Sequence, residues 1–252
     1  MNKLYRYKAT LEYDGSNYHG CQIQGELSTV AKAVEQAILA FSGVASKISC
    51  ASRTDAGVHA RGQIIHFDLP KKYDAYTLTC GLNFHLKAEA VKIVKANLTN
   101  VDFHARYGAK YKNYKYLILN RNAPSPLLYK RAWHQIQPID LNKMRQASKL
   151  LLGQHDFTSF MTQDKKTINP LRQIDKISIS KTGEVITINF AAESFLYNQI
   201  RIMVGTLVEI AQDPKAQPEL ITKIFAAQDR TKAGQTAPAH GLYLEKISYR
   251  PR

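Results

Sequence analysis

Cysteine is scarce in this chain, which has only Cys21, Cys50 and Cys80 among its 252 residues. The three cysteines are widely spaced, and they form neither a CxxC pair nor the spacing of zinc ligands. This pattern predicts small buried or half-buried thiols, and it fits a reducing compartment. A structural zinc site is therefore not expected.

Long apolar runs are also missing. No stretch approaches the roughly 20 apolar residues that a membrane-spanning helix needs. The first residues, Met1–Arg6, have no apolar signal-peptide segment and lead directly into an alternating pattern. These absences predict a cytoplasmic protein that does not associate with a membrane.

The familiar motifs for cofactors and metals are absent as well. The sequence has no GxGxxG after a strand and no GxxxxGK[ST], so a nucleotide cofactor or ATP has no recognisable cradle. HExxH, GxSxG and the zinc-deaminase pattern of HxE with PCxxC are also missing. We therefore expect no cofactor and no catalytic metal, and a reaction carried out by side chains such as a carboxylate.

Acidic residues are few relative to basic ones. There are 20 Asp and Glu against 35 Lys and Arg, which gives a net charge of +15. This excess favours a polyanionic partner, because a basic surface releases counterions from phosphates, although it can also serve solubility alone. The basic residues alternate with many of the 14 tyrosines, and aromatic and cationic side chains together suit unpaired nucleotides. The composition therefore favours RNA as a partner.

Hydrophobic periodicity predicts the same order of elements twice, with an extra helix before the last strand of the second half. The first half reads as a strand, a helix, two strands, a helix and a strand, at residues 4–13, 30–41, 46–51, 62–68, 74–86 and 90–98. The second half has a strand at 110–120, a proline-containing connection, a helix at 140–152, strands at 172–180 and 184–191 joined by a hairpin at Lys181–Gly183, helices at 195–211 and 218–227, and a strand at 242–249.

This repeated order predicts an α+β fold. We expect two ferredoxin-like β-α-β-β-α-β halves, each with an antiparallel sheet and its helices on one face. The corresponding domains are residues 1–103 and 104–252. If the two halves are related, the groove between them is the natural place for an active site.

The loop Arg53–Ala60 offers a carboxylate, a guanidinium and an imidazole between two predicted strands. From these residue types alone an ordinary turn is the better interpretation, since Asp favours turns and Gly57 permits a positive φ. The alternative is that Asp55 acts as a covalent nucleophile or a general base, held ionised by Arg53 or Arg201.

Two features of the second half have equally balanced interpretations. Arg201 lies in a helix that is otherwise apolar, where it either extends to the surface or an unrelated acid, or presents its charge to the groove. Lys112, Tyr114 and Tyr116 share one side of a strand. A tyrosine ring there can stack on a displaced base, or it can simply pack well in a sheet.

Several motifs occur in the order typical of one known family. Arg53–Ala60, followed by Gln63, His66 and Phe67, closely resembles the catalytic motif of the TruA family of tRNA pseudouridine synthases. The resemblance extends along essentially the whole chain, through Glu12–Ser16 with Tyr18 and Gly20, Asp102–Arg106, Leu152–Gly153 with His155–Phe160, Arg201 with Val204–Gly205, and Gly241–Leu244.

The resemblance implies isomerisation of uridine to pseudouridine at positions 38, 39 and 40 of the tRNA anticodon stem-loop. It also implies a homodimer that works without a cofactor or an essential metal. Asp55 matches the catalytic aspartate of the family, and Arg53 is part of the same motif. Tyr114 matches the tyrosine that contacts the target uracil, Arg201 the arginine paired with the aspartate, and Leu242 a residue of the apolar base pocket.

Two positions depart from the family pattern. Cys21 stands where the family usually has a tryptophan, and Ser52 replaces the common glycine before Arg53. We expect altered local packing, and altered backbone angles at Ser52, without loss of activity. Two other functions compete with the synthase: a basic tRNA-binding module without chemistry, and a different RNA-modifying enzyme such as a methyltransferase. The matched site residues argue against the first, and the missing cofactor motif argues against the second.

Overall fold

The computed structural model describes residues 3–162 and 169–249. Its strands are β1 (Tyr5–Tyr13), β2 (Ser49–Cys50), β3 (His59–Leu69), β4 (Val91–Leu98), β5 (Tyr111–Asn120), β6 (Trp133–Gln135), β7 (Gly153–Asp156), β8 (Leu171–Ile174), β9 (Lys176–Thr182), β10 (Val185–Ala192) and β11 (Leu242–Ser248). Its α-helices are α1 (Val30–Ser42), α2 (Ala75–His85), α3 (Leu141–Lys149), α4 (Gln199–Gln212) and α5 (Leu220–Ala227).

The chain divides into two compact units. The first comprises Met1–Lys110 together with Tyr243–Arg252, and the second comprises Tyr111–Leu242. The last strand, β11, therefore groups with the first unit except for its first residue, because Tyr243 and Leu244 pair with β3 in parallel. The division into domains 1–103 and 104–252 stays a prediction.

The first unit is built on an antiparallel sheet in which β1 lies between β3 and β4. Strand β2 pairs antiparallel with the other edge of β3. The alternation that predicted β1 is also its burial pattern, since Tyr7, Ala9 and Leu11 are fully buried and residues between them are not. Helices α1 and α2 pack against each other and against β4.

The two helices of the first unit begin and end where the sequence predicts. In α1, the Thr29 hydroxyl accepts a hydrogen bond from the Lys32 N–H at the N-terminus, and Gly43 follows the last turn with a φ of 72°. In α2, the Asp74 carboxylate caps the first turn by accepting from the Thr77 N–H. Because the caps and the buried apolar face agree, both helices were predictable from local sequence.

The second unit has a three-stranded antiparallel sheet with β10 between β5 and β9. Strand β6 joins β5 in parallel, and β7 and β8 form a separate antiparallel pair. The predicted hairpin is confirmed, since Thr182 and Val185 are paired across it. Helix α4 is almost wholly buried and packs against α3, which also contacts β9.

Several predicted boundaries in the second unit are wrong. The strand predicted at 172–180 is two strands, β8 and β9, because the chain changes pairing partner at Asp175, whose N–H donates to the carbonyl of Ala191. The helix predicted from Phe195 begins at Gln199, since Asn198 has a left-handed φ of 60° that a helix cannot include. Strands β6 and β7 lie in parts of the chain that the sequence left as connections.

In the first unit, β2 is only two residues long and β3 begins at His59, three residues earlier than predicted. The chain is thus a mixed α/β protein whose strand pairing is mainly antiparallel. Within residues 3–162 and 169–249, no helix has the length and apolar character needed to cross a membrane.

Candidate active site

The loop between β2 and β3 carries Arg53 and Asp55. It contains a tight turn, in which the Val58 N–H donates to the Asp55 carbonyl at 3.2 Å. Gly57 supplies a φ of 81° in this turn, as its sequence predicted. The Asp55 side chain is half-buried and Arg53 is exposed. The turn interpretation is therefore correct, and it is compatible with a chemical role for Asp55.

Buried polar contacts fix the start of this loop. The Gln63 side chain holds both backbone groups of Ser52: its Oε1 accepts from the Ser52 N–H at 3.2 Å, and its Nε2 donates to the Ser52 carbonyl at 2.7 Å. The Tyr13 and Thr54 hydroxyls share a hydrogen bond of 2.7 Å. All four residues are buried, so losing one of these contacts would leave an unsatisfied polar group in the core.

The segment that follows β1 holds the loop from a second side. The Cys21 N–H donates to the Thr54 carbonyl at 3.2 Å, and the Gly57 N–H donates to the Tyr18 carbonyl at 3.3 Å. Gly20 lies between these two contacts with a φ of 87°, and a Cβ atom there would be 2.5 Å from the Thr54 oxygen. The loop backbone is therefore fixed on both sides of Asp55.

The two histidines of this region are structural. His59 is buried, stacks on Tyr243 with ring centroids 4.7 Å apart, and accepts a hydrogen bond from the Gly15 N–H at Nδ1. The Asp14 carboxylate lies 3.0 Å from the same nitrogen. His66 accepts from the Ala105 N–H at its own Nδ1. Both rings therefore take part in the packing and hydrogen bonding of the first unit.

A cleft of about 430 Å³ opens beside the loop, within the first unit. Three basic side chains line it, namely Lys47, Arg53 and Arg106, together with the acidic Glu35. The remaining lining residues are Cys21, Gln22, Ile23, Ala31, Ile48, Ser49 and Cys50. The cleft thus combines positive charge at Arg53 with a pair of thiols in its wall.

Tyr114 lies in the second unit, on β5, with only 6% of its surface exposed. Its ring meets Phe195 edge to face, with centroids 5.4 Å apart. Tyr116, two residues on, faces the same side and is fully buried, with its hydroxyl donating to the Pro238 carbonyl at 2.8 Å. Both tyrosines are therefore core residues, and burial raises the pKa of Tyr116.

Arg201 lies in the first turn of α4 and is held by two contacts of the second unit. Its Nε donates to the Ala237 carbonyl at 2.7 Å, and its Nη1 donates to the Asn198 side-chain oxygen at 2.8 Å. These contacts fix the half-buried guanidinium in one orientation. Leu242 is buried and begins β11, directly after a short turn at Ala239–Gly241.

The structure brings Arg53 and Asp55 together on one loop of the first unit, whereas Tyr114, Arg201 and Leu242 belong to the second unit. The supporting residues of the loop were not assigned roles from the sequence. One signal could have identified Gln63: it is a polar residue within the apolar run of β3. A polar side chain at a core position usually satisfies backbone groups.

No group of three or more His, Cys, Asp and Glu residues within the described ranges could hold a metal ion.

Comparison with known proteins identifies the family. A sequence profile described as tRNA pseudouridine synthase matches residues 9–108 and 147–250. The chain is 44% identical over 245 residues to tRNA pseudouridine synthase A of Wolbachia pipientis wMel, covering 97% of this chain and 100% of that protein. The corresponding proteins of Ehrlichia canis and Caulobacter vibrioides are each 42% identical, over 97% of this chain and 100% and 98% of theirs.

A solved structure of a Cbf5-Nop10-Gar1 complex aligns with a TM-score of 0.36 at 11% identity, covering 95% of this chain and 58% of that chain. The profile match and the near-full-length identity are sufficient by themselves. This chain belongs to the tRNA pseudouridine synthase family, the isomerases that convert uridine to pseudouridine in tRNA.

Proposed function

We propose that this enzyme isomerises uridines 38, 39 and 40 in the anticodon stem-loop of tRNA, with Asp55 as the catalytic residue and without a cofactor. The observation that supports this most strongly is the Asp55 turn, whose backbone is fixed from both sides by buried contacts. We further propose that the protein is a cytoplasmic homodimer. Within each chain, we propose that the two halves each have the ferredoxin-like order of elements.

The reaction requires no net input of atoms or electrons. The bond between N1 of uracil and C1′ of the ribose breaks, the base turns, and C5 bonds to C1′. The proton that leaves C5 is replaced by one at N1, so substrate and product are isomers. A side chain that stabilises charge and moves a proton is sufficient for such a sequence.

Asp55 must be ionised to begin this reaction, whether it attacks C1′, adds to the uracil ring or removes a ribose proton. Arg53 lies two residues before it on the same loop, and a guanidinium favours the charged form of a neighbouring carboxylate. The rigid turn presents the carboxylate in one orientation, which reduces the entropy lost when the substrate is positioned.

The target base has to leave its stack before it can react, which costs a few kcal/mol. We propose that Tyr114, Arg201 and Leu242 bind the displaced nucleotide, together with Arg53. The family resemblance supports this role for Tyr114, and the fixed guanidinium of Arg201 and the apolar side chain of Leu242 suit it. Stacking of a base on an aromatic ring contributes about 1–3 kcal/mol, which offsets much of the cost of displacement.

The test is Asp55→Asn, which keeps the size of the side chain and removes its charge. We expect pseudouridine formation to fall by at least about a thousandfold, with tRNA affinity changed by no more than a few fold. Asp102→Asn is the matched control, since Asp102 is an exposed aspartate of the same unit. That control should retain wild-type turnover.

Two outcomes decide between the alternatives. Full turnover by Asp55→Asn would exclude Asp55 as the catalytic group. A wild-type protein that binds tRNA but forms no pseudouridine at any position would instead indicate a binding module without chemistry. Mapping pseudouridine by position in tRNA, with and without the protein, measures both the activity and the choice of positions 38, 39 and 40.

A further inference from the structure

Cys21 and Cys50 form a thiol pair in the wall of the cleft. Their Sγ atoms are 2.6 Å apart although the residues are 29 positions apart in the sequence. Both are free cysteines, and both line the cleft beside Arg53. The third cysteine, Cys80, is exposed on α2 and lines no part of this cleft.

The backbone holds each cysteine in place. Cys50 is in β2, where it pairs with Ile65 of β3. Cys21 donates its N–H to the Thr54 carbonyl, and its own carbonyl accepts from the Ala31 N–H at 2.9 Å. Two thiols fixed so close together can be joined by a small movement of their side chains, because a disulfide needs the sulfurs about 2.05 Å apart.

The two sulfurs differ in access. Cys21 is fully buried, whereas Cys50 is partly exposed at the cleft. The hydrogen bond with Cys21, burial and the nearby Glu35 carboxylate raise the pKa of the Cys50 thiol. The Cys50 thiol is therefore protonated at neutral pH, which is consistent with slow oxidation that requires a sustained supply of oxidant.

We propose that Cys21 and Cys50 are an oxidative modification site, which hydrogen peroxide converts to a disulfide. Cys50, the accessible member, attacks one peroxide oxygen and becomes a sulfenic acid, and the other oxygen leaves as water. Cys21 then attacks the Cys50 sulfur and displaces a second water. Two thiols and one peroxide thus give one disulfide and two waters, and a small dithiol reverses the change.

The disulfide links Cys21, in the segment after β1, to Cys50 of β2, which lies three residues before Arg53. It closes a loop that contains all of α1 and restricts the unfolded chain. For a separation of 29 residues, this restriction raises the melting temperature by roughly 5–10 °C in a protein of this size. Since a reducing compartment keeps the pair as thiols, the cross-link forms only under oxidative stress.

The experiment uses the full chain with Cys80→Ser, which removes the exposed thiol. After treatment with hydrogen peroxide, we expect mass spectrometry of non-reduced peptides to show Cys21 joined to Cys50, with the loss of two hydrogen atoms. The melting temperature should rise by roughly 5–10 °C and return to its starting value with dithiothreitol.

Adding Cys50→Ser or Cys21→Ala to this background gives the controls, and neither variant should show a cross-linked peptide or a shift in melting temperature. Two controls are used so that one remains if the other fails to fold. The proposal is overturned if peroxide produces sulfinic acid at Cys50 without a cross-link, or cross-links between chains only. An intramolecular cross-link that leaves the melting temperature unchanged overturns the stabilising role.

Discussion

Ser52 is one of the two departures from the family pattern, and its contacts with Gln63 show how the loop accommodates it. The family's common glycine before Arg53 suggested that Ser52 would alter the backbone angles of the loop. In the structure, Ser52 is not among the residues with a positive φ, so a side chain is accommodated there without backbone strain. Both backbone groups of Ser52 are held by Gln63. The other departure, Cys21, gives the chain its thiol pair with Cys50.

Gly20 is a position where a side chain would disturb the loop. We predict that Gly20→Ala lowers stability by about 2–4 kcal/mol and reduces kcat at least tenfold, because its Cβ would meet the Thr54 carbonyl at 2.5 Å and its φ of 87° strains any other residue. Denaturant unfolding and steady-state kinetics on tRNA measure the two effects.

Gly25→Ala is the matched control for this prediction. Gly25 also has a positive φ, of 51°, but no atom lies within 4 Å of the position its Cβ would take. It should show the cost of backbone strain, about 1 kcal/mol, with kcat unchanged. If both variants lose the same stability and neither loses activity, the close approach of Gly20 to the Thr54 carbonyl does not position the Asp55 loop.

At the scale of elements, local sequence signals were sufficient to predict the limits of a helix or strand only where they agreed with each other. Helix α1 has a cap, an apolar face and a terminal glycine, so its limits were predictable within a residue. Strand β3 was placed too late because Arg61 and Gly62 interrupt its apolar pattern. Its early residues are strand because of pairing with β1 and β11, and neither partner is visible in the local sequence.

The Arg6 side chain links β1 to β3 and to the segment that follows β4. Arg6 of β1 binds Asp68 through two hydrogen bonds of 2.8 Å, and its guanidinium also donates to the carbonyls of Val101 and Phe103. The Arg6 guanidinium holds the pKa of Asp68 below its ordinary value.

Burial, Arg6 and His104 together lower the pKa of His66, so its ring is neutral in the folded protein.

The lowered pKa of His66 predicts that the folded protein begins to lose stability at a pH above the range in which carboxylates titrate. The unfolded chain takes up a proton near the ordinary value of 6.5, which the folded protein resists, so stability falls as pH drops below about 6.5 towards the lowered value. The contribution of Asp68 is lost only below its ordinary value of 3.8. Urea unfolding at pH 7 and pH 5 therefore separates the two groups.

His66→Asn should reduce the difference in stability between pH 7 and pH 5, because an asparagine oxygen can accept from the Ala105 N–H without taking up a proton. A smaller difference remains, since burial also lowers the pKa of His240. Asp68→Asn serves as the comparison: it should lower stability at both pH values by about 1 kcal/mol and widen the difference between them, because the Asp68 carboxylate raises the pKa of His66. An undiminished difference in His66→Asn would show that His66 does not cause the acid sensitivity.

At the scale of the whole molecule, the prediction of a catalytic role for the Asp55 loop came from family resemblance, whereas residue types alone did not indicate it. Residue types alone favoured a turn at Asp55, and a turn is what the structure contains. The contacts that support the turn join residues far apart in the chain, such as Tyr13 with Thr54 and Ser52 with Gln63. No local pattern encodes such pairings, so the scaffold of the loop could be seen only in three dimensions.

The net charge of +15 leads to the last prediction, which concerns tRNA binding as a whole. If six or more phosphates are neutralised, affinity should fall about a thousandfold between 50 and 200 mM salt, because bound counterions are released on association. Lys112→Ala should then lower the slope of log K against log salt by about one, if Lys112 contacts a phosphate. Lys112→Arg keeps the charge and should preserve the slope. An unchanged slope in Lys112→Ala places this lysine outside the tRNA footprint, and a weak salt dependence in the wild-type protein would contradict phosphate contacts as the main source of affinity.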